Sequence, residues 1–434
     1  GLGKIANSDY HNLPQQDYLI ITRNLYLQQA EALAQFHRNK NNLKVAVVDY
    51  DKVCNEFSSG TNDITAIRNF TKMFYDRAGG NVSQMPRYLL LFGDGTYENK
   101  NLGSNLLPTF ESIETFNLID TYVTDDYFGL LDDNEGADVT NTATQKIDLG
   151  IGRIPCSDAQ QAQIAVDKIK MYYSKEAFGD WRDQATYIAD DEDFNIHLGQ
   201  AELIASSLQS TIKETNVDKI YLDAYTQQAG TSGARYPAVN EAINNKVQKG
   251  TLFMNYSGHG GPFGLAEEAV LTLNDIASWT NATKLPLFIT ATCDFAPFDH
   301  FAQYSAGERI LFKENGGGIG LVTTTRLVYS NENEKINTAF LQSTFDANND
   351  VSMTLGDMVR ETKNLNFDSY ENNRKFTLIG DPALRLAFPK NNVVITMIDR
   401  VPISQPHDTI KALSKIRING EIRNKNNVFL PDFN

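Results

Sequence analysis

The residues best suited to covalent chemistry in this chain are one histidine and one cysteine. His259 lies in Asn255-Tyr256-Ser257-Gly258-His259-Gly260-Gly261, and Cys293 lies in Thr290-Ala291-Thr292-Cys293-Asp294. Each motif follows an apolar run that reads as a buried strand, Thr251 to Met254 before the first and Leu285 to Ile289 before the second. Their separation, 293 − 259 = 34 residues, is about one βαβ unit. Parallel strands joined by one crossover emerge at the same sheet edge, where open α/β sheets bind their ligands. The spacing therefore predicts an imidazole beside a thiol. In such a pair the histidine takes the thiol proton, the thiolate attacks an acyl carbon, and the imidazolium protonates the leaving group. The N–H groups of Gly260 and Cys293 are candidates for the oxyanion hole. The competing reading is a tight Gly-rich turn beside a core cysteine.

A carboxylate that orients the imidazole usually completes such a site. Asp190, Asp191 and Glu192 follow the strand-like run Ala185 to Ile188 and are equal candidates, against a solvated acidic turn or a cation site. His197 and His300 are rival bases, although neither has the glycine context of His259. Cys54 and Cys156 have no nearby histidine or Gly-rich turn and read as small buried residues. Three cysteines are too few for a disulfide scaffold.

The elements that must position these groups alternate along the chain. Strand-like runs occur at Tyr18 to Thr22, Lys44 to Asp49, Tyr88 to Phe92, Ile147 to Arg153, Ala185 to Ile188, Lys219 to Leu222 and Gly318 to Thr323, besides the two before His259 and Cys293. Helical spacing falls between them, for example Leu25 to His37, Asp63 to Phe74, Asp158 to Tyr173, Ile196 to Leu208, Leu273 to Trp279, Ser305 to Phe312 and Ser330 to Phe345. The fold class is α/β with mainly parallel sheets. A boundary near Phe178-Gly179 divides the chain into α/β subdomains 1–178 and 179–390, the second carrying the site. Residues 391–434, opening with Val393 to Met397, read as the start of a β-rich domain.

The 434 residues, 41% of them hydrophobic, are enough for a sizeable core. A net charge of −15 argues against nucleic acid as a partner, because phosphate binding needs concentrated Lys and Arg. No apolar stretch reaches the length of about 18 residues that marks a transmembrane helix. The chain opens Gly-Leu-Gly and reads as a piece of something longer. Gly93-Asp94-Gly95 follows a strand, but no Gly-Lys-Ser/Thr succeeds it and the dinucleotide fingerprint is absent. The acidic excursion holding Asp125, Asp126, Asp132 and Asp133 is a candidate for structural Ca²⁺, although it lacks EF-hand spacing.

Gly-His-Gly after one strand and Ala-x-Cys after the next resembles the caspase-like cysteine peptidases, among them the gingipains. Longer motifs resemble the gingipain-like sortases of type IX secretion: Asn55 to Gly60, Leu91 to Tyr97, Asp125 to Phe128, Gly150 to Pro155, Thr323 to Tyr329 and Leu378 to Arg385. The likeness runs from about Asp17 to Phe388. It implies a caspase/gingipain-like fold of two side-by-side α/β subdomains followed by an Ig-like β domain, with Cys293 as nucleophile and His259 as base. An acid after Ile188-Ala189 would touch the histidine. The implied activity is removal of the C-terminal signal from exported proteins at the outer-membrane surface of Bacteroidetes-type bacteria. The thioester would then pass to an amine of anionic lipopolysaccharide, or to water. The implied partners are the cargo signal domains and an outer-membrane protein of the attachment complex, and no cofactor is required. Gingipains use an acid to select Arg or Lys, a role for which Asp193 is the candidate.

Overall fold

Runs rich in β-branched and aromatic residues form the centre of the molecule. The computed structural model describes residues 8–98, 103, 105–212, 215–230, 233–300, 302–344, 353–366, 370–389, 391–424 and 426–431. Ten strands make one sheet: β1 (Tyr18–Thr22), β2 (Val45–Asp49), β3 (Tyr88–Phe92), β4 (Gly150–Ile154), β5 (Gln184–Ala189), β6 (Asn216–Tyr221), β7 (Phe253–Ser257), β8 (Leu287–Ala291), β9 (Gly320–Thr324) and β10 (Phe376–Ile379). Their spatial order is β2-β1-β3-β4-β10-β9-β8-β7-β5-β6. Every residue of β1, β3, β4, β7, β8 and β9 is buried. Strands covered on both faces are expected to be apolar throughout, as in parallel sheets.

The pairs within β2-β1-β3-β4 and within β9-β8-β7-β5-β6 are all parallel. Between these blocks lies β10, antiparallel to β9 and joined to β4 through the single pair Ile379 with Arg153. The expected boundary at residues 178 and 179 falls between β4 and β5 in the chain, while the sheet itself continues across through β10. Residues Gly1–Leu386 form one compact unit and Ala387–Asn434 another. The second contains an antiparallel three-stranded sheet of Asn391–Ile398, Val401–Pro402 and Ile418–Asn424.

Several elements depart from their sequence pattern. The strands before His259 and Cys293 run further than the apolar stretches indicate, taking in Asn255, Tyr256, Ser257 and Thr290. Their polar groups are buried because they find partners on neighbouring elements. Asn255 and Asn337 exchange side-chain hydrogen bonds of 2.6 and 2.9 Å, and Thr290 Oγ1 donates to Thr323 Oγ1 at 2.6 Å. The helix Tyr50–Phe57, capped by Asp49, and the short strand β10 have no expectation behind them. The helix expected to end at Phe345 is Ser330–Thr344, with residue 345 outside the described residues.

The four acids of the expected Ca²⁺ cradle face protein groups instead. Asp125 receives two 2.7 Å hydrogen bonds from Arg153, and Asp126 is held by Lys363 at 2.6 and 2.7 Å and by Arg374 at 3.1 Å. Asp132 accepts from the Tyr75 hydroxyl at 2.8 Å and Asp133 pairs with Lys72 at 2.9 Å. Among the described residues these acids form none of the clusters of three or more with ligand atoms within 4.8 Å, and each already has a partner on another element. Removing one partner of a buried ion cluster leaves uncompensated charge and costs about 3–5 kcal/mol. Asp126→Ala, which strands Lys363 and Arg374, is expected to lower unfolding free energy by about that amount in urea titration.

Candidate active site

The sheet register brings the chemistry together. Ser257 lies opposite Ala291 on one side and Ala189 on the other. His259 and Cys293 are each two residues beyond their paired positions, and Asp190 is the first residue after Ala189. All three therefore leave the sheet at one edge, side by side. Gly258 makes the turn between β7 and His259 with φ of +156°. A Cβ there would run into the Asp190 side chain and approach the Tyr256 hydroxyl to 2.6 Å.

Of the three acid candidates, Asp190 is the one on the histidine. Its Oδ2 accepts from the His259 backbone N–H at 2.8 Å and lies 3.1 Å from Nδ1. The carboxylate is fully buried, whereas the imidazole is 42% exposed. Asp191 is instead bound by the Tyr236 hydroxyl at 2.6 Å, and Glu192 precedes the turn that carries Asp193. The Tyr256 hydroxyl donates to the His259 carbonyl at 2.6 Å and fixes the other side of the turn.

The electrostatics follow from these contacts. The Asp190 hydrogen bond raises the His259 pKa above its ordinary value, against the opposing effect of burial. Burial alone would raise the Asp190 carboxyl, but its bonds to His259 hold it below the usual range. Burial pushes the Cys293 thiol up, as does neighbouring Asp294, with Val328 and Lys375 acting the other way. The thiol faces the Val328 carbonyl at 3.9 Å.

Among the described residues, the Gly260 and Cys293 N–H groups have no hydrogen-bond acceptor. In the hairpin Gly260–Gly261 with Gly264–Leu265, Gly260 is opposite Leu265, and Ala266 N–H donates to the His259 carbonyl. Antiparallel ladders alternate bonded and non-bonded pairs, which leaves the Gly260 N–H outside this ladder. Among the described residues no acceptor is bonded to the Cys293 N–H. A Cβ at position 260 would meet Thr292 Oγ1 at 2.7 Å, so only glycine lets the hairpin lie this close to the cysteine loop.

The rival histidines part company. His300 packs edge-on against Tyr97, with centroids 6.0 Å apart. His197 lies edge-on to His259 at 5.1 Å, and Asp193 reaches Nε2 of both rings at 3.5 Å. Burial, with His259 adding to it, lowers the His197 pKa. Asp193 thus faces imidazoles. A second convergence, Asp190, Asp191 and Glu268, lies behind the histidine.

Arg326 is the functional-site neighbour that residue types alone did not single out. Its guanidinium forks onto Asp299, and its carbonyl accepts from Asp294 N–H at 3.1 Å, holding the cysteine loop. Asp294 has φ of +20° at that point. Beyond Arg326, burial raises Glu111 to about 8. The loops after β3 and β8 also meet, Tyr97 N–H donating to the Asp299 carbonyl at 3.3 Å.

The profile of peptidase family C25 matches residues 11–387. The chain belongs to this family, the gingipain family of cysteine peptidases. Among solved structures, the Arg-specific cysteine proteinase gingipain R (RgpB) superposes with a TM-score of 0.66 at 17% identity, over 88% of this chain and 82% of that one. The latent dimeric PorU of Porphyromonas gingivalis is 28% identical, with a TM-score of 0.55, over 99% of this chain and 35% of that one. This chain therefore spans about a third of the PorU chain. A comparison with curated proteins finds no match. No helix among the described residues is long and apolar enough to cross a membrane.

The Asp190 contact is testable directly. By NMR, the His259 ring is expected to titrate above the ordinary histidine value of about 6.5 and to return towards it in Asp190→Asn. The sign follows from the carboxylate, which favours the imidazolium. Its contribution to stability is present below the unfolded-state pKa and fades as pH rises through the raised native value.

Proposed function

We propose that this family C25 peptidase is a cell-surface cysteine endopeptidase and transpeptidase. It removes the C-terminal signal of type IX secreted proteins and transfers the cargo to anionic lipopolysaccharide. The observation that carries the catalytic part is the register that sets His259 and Cys293 at one edge, with Asp190 on the imidazole. The 28% identity with PorU over 99% of this chain, together with the motif likeness, supports the narrower role.

In this reading His259 Nε2 takes the Cys293 proton, and the sulfur attacks the scissile carbonyl. The tetrahedral oxyanion sits against the Gly260 and Cys293 N–H groups. His259 then protonates the departing amine, which leaves with the signal domain, and a thioester remains. An amine of the lipopolysaccharide, or water, attacks the thioester while His259 accepts its proton. The products are an amide or an acid, and the thiol is restored. This chemistry needs no cofactor. The macromolecular partners are the cargo signal domain and an outer-membrane protein that holds the enzyme beside its acceptor.

Cys293→Ala is expected to abolish cleavage of a signal-bearing cargo, read by mass spectrometry of the products. With an added primary amine, the native chain should form amide in preference to acid. Acid alone reduces the assignment to plain proteolysis.

A second reading is a latent, signal-binding module. It is favoured by the raised Cys293 thiol and by the contact of that thiol with Val328 rather than with an imidazole. Iodoacetamide separates the two, because only the thiolate reacts quickly. Cys54 and Cys156 are buried and slow for steric reasons, so the informative quantity is the effect of His259. An assembled dyad predicts at least a tenfold slower Cys293 alkylation in His259→Ala, and a latent site predicts no change.

A further inference from the structure

Asp193, His197 and His259 place a carboxylate oxygen and two imidazole nitrogens within 4.8 Å of one another. Asp193 Oδ2 lies 3.5 Å from Nε2 of each histidine. Ligands about 2.0–2.1 Å from a tetrahedral Zn²⁺ sit about 3.3–3.4 Å apart along the edges. Both carboxylate–imidazole separations are close to that spacing, and the two imidazole nitrogens lie within 4.8 Å of each other.

An independent observation points to a ligand here. His197 is only 5% exposed, yet its Nε2 has no hydrogen-bond partner among the described residues and lies 3.5 Å from the Asp193 carboxylate. A buried ring nitrogen normally has a partner, and an exception calls for an explanation. The surroundings also resemble a metal's outer shell. Asp190 holds His259 through Nδ1, which leaves Nε2 free to ligate. A carboxylate on the far nitrogen is the usual way a metal-binding histidine is oriented. Two imidazoles and one carboxylate suit Zn²⁺, whereas Ca²⁺ and Mg²⁺ prefer oxygen ligands throughout.

We infer that Asp193, His197 and His259 form a Zn²⁺ site of three protein ligands with a fourth position open to solvent or substrate. The metal takes His259 Nε2, the atom that would accept the Cys293 proton. Zn²⁺ binding and catalysis are therefore mutually exclusive. This regulatory consequence rests on the catalytic reading of His259, whereas the site itself does not.

The test is calorimetric titration of the chelator-treated chain with ZnCl₂, paired with Co²⁺ absorption to report the coordination. One saturable site with tetrahedral Co²⁺ bands is expected. Binding should weaken at least tenfold in Asp193→Asn and in His197→Gln, and stay unchanged in Cys293→Ala. If His197→Gln fails to fold, Asp193→Asn at an exposed position still decides the matter. No saturable uptake, uptake indifferent to Asp193→Asn, or uptake lost in Cys293→Ala overturns the site. Where cargo cleavage is measurable, the Zn²⁺ concentration for half-inhibition should rise at least tenfold in Asp193→Asn, and no rise overturns the regulatory role. Zn²⁺ binding in a chain that never cleaves cargo supports the site and counts against the peptidase reading instead.

Discussion

A buried carboxylate satisfied by an imidazole, backbone N–H groups and, at 3.5 Å, the Tyr256 hydroxyl is the constraint on which the site is built. Among the described residues Asp190 pairs with no Lys or Arg, and it accepts from His259 twice, through the main chain and the ring, and from Asp191 N–H at 3.0 Å. An ionised group so placed is costly unless its bonds are kept, so the turn after β7 cannot drift without exposing that cost. The strand register delivers Asp190 to the turn, since its own N–H donates to the Ser257 carbonyl at 3.1 Å. Position and protonation state of the histidine thus have one cause.

The same device recurs where the halves of the sheet meet. Arg153 at the end of β4 forks onto Asp125 and packs over the Phe298 ring at 4.8 Å. Phe298 belongs to the loop that follows Cys293, and Gly95 lies so close that a Cβ would sit 2.6 Å from that ring. Just beyond β10, Asp381 joins Tyr18 of β1 at 2.8 Å and His37 at 2.6 Å. Each cluster ties residues far apart in sequence. Each is satisfied on both sides, which is the condition for a buried ion pair to be tolerated. The cysteine loop is thereby braced from β3, β4 and β9 at once, whereas Asp190 and His259 follow β5 and β7.

This explains what the sequence disclosed and what it concealed. Alternating apolar runs located the strands, since continuous burial leaves a continuous apolar signature. The His259 and Cys293 spacing was readable because one crossover has a characteristic length. The extent of β7 and β8 was hidden, because Asn255 and Thr290 are polar by type and become core residues only through partners tens of residues away. Choosing Asp190 over Asp191 and Glu192 needed the register, where one residue decides which acid faces the ring. The Asp125-Asp126 pair looked like a cation cradle for a related reason. Its partners Arg153, Lys363 and Arg374 are remote in the chain, and composition cannot tell a metal-binding carboxylate from one already neutralised by protein.

The thiol and imidazole are both shifted upward, and their difference governs how readily the proton crosses between them. Asp190 favours the imidazolium, while burial and Asp294 disfavour the thiolate. The first effect promotes transfer and the second opposes it. On the proposed reading, an acyl group bound against the Gly260 and Cys293 N–H groups would alter that balance, because such donors stabilise negative charge as it moves from sulfur to oxygen. A cation at Asp193 and His197 would act on the same lone pair in the opposite sense, since Nε2 can hold a proton or a metal but not both. On the two proposals together, a single nitrogen, held by a single buried carboxylate, would be the point at which activation and inhibition compete.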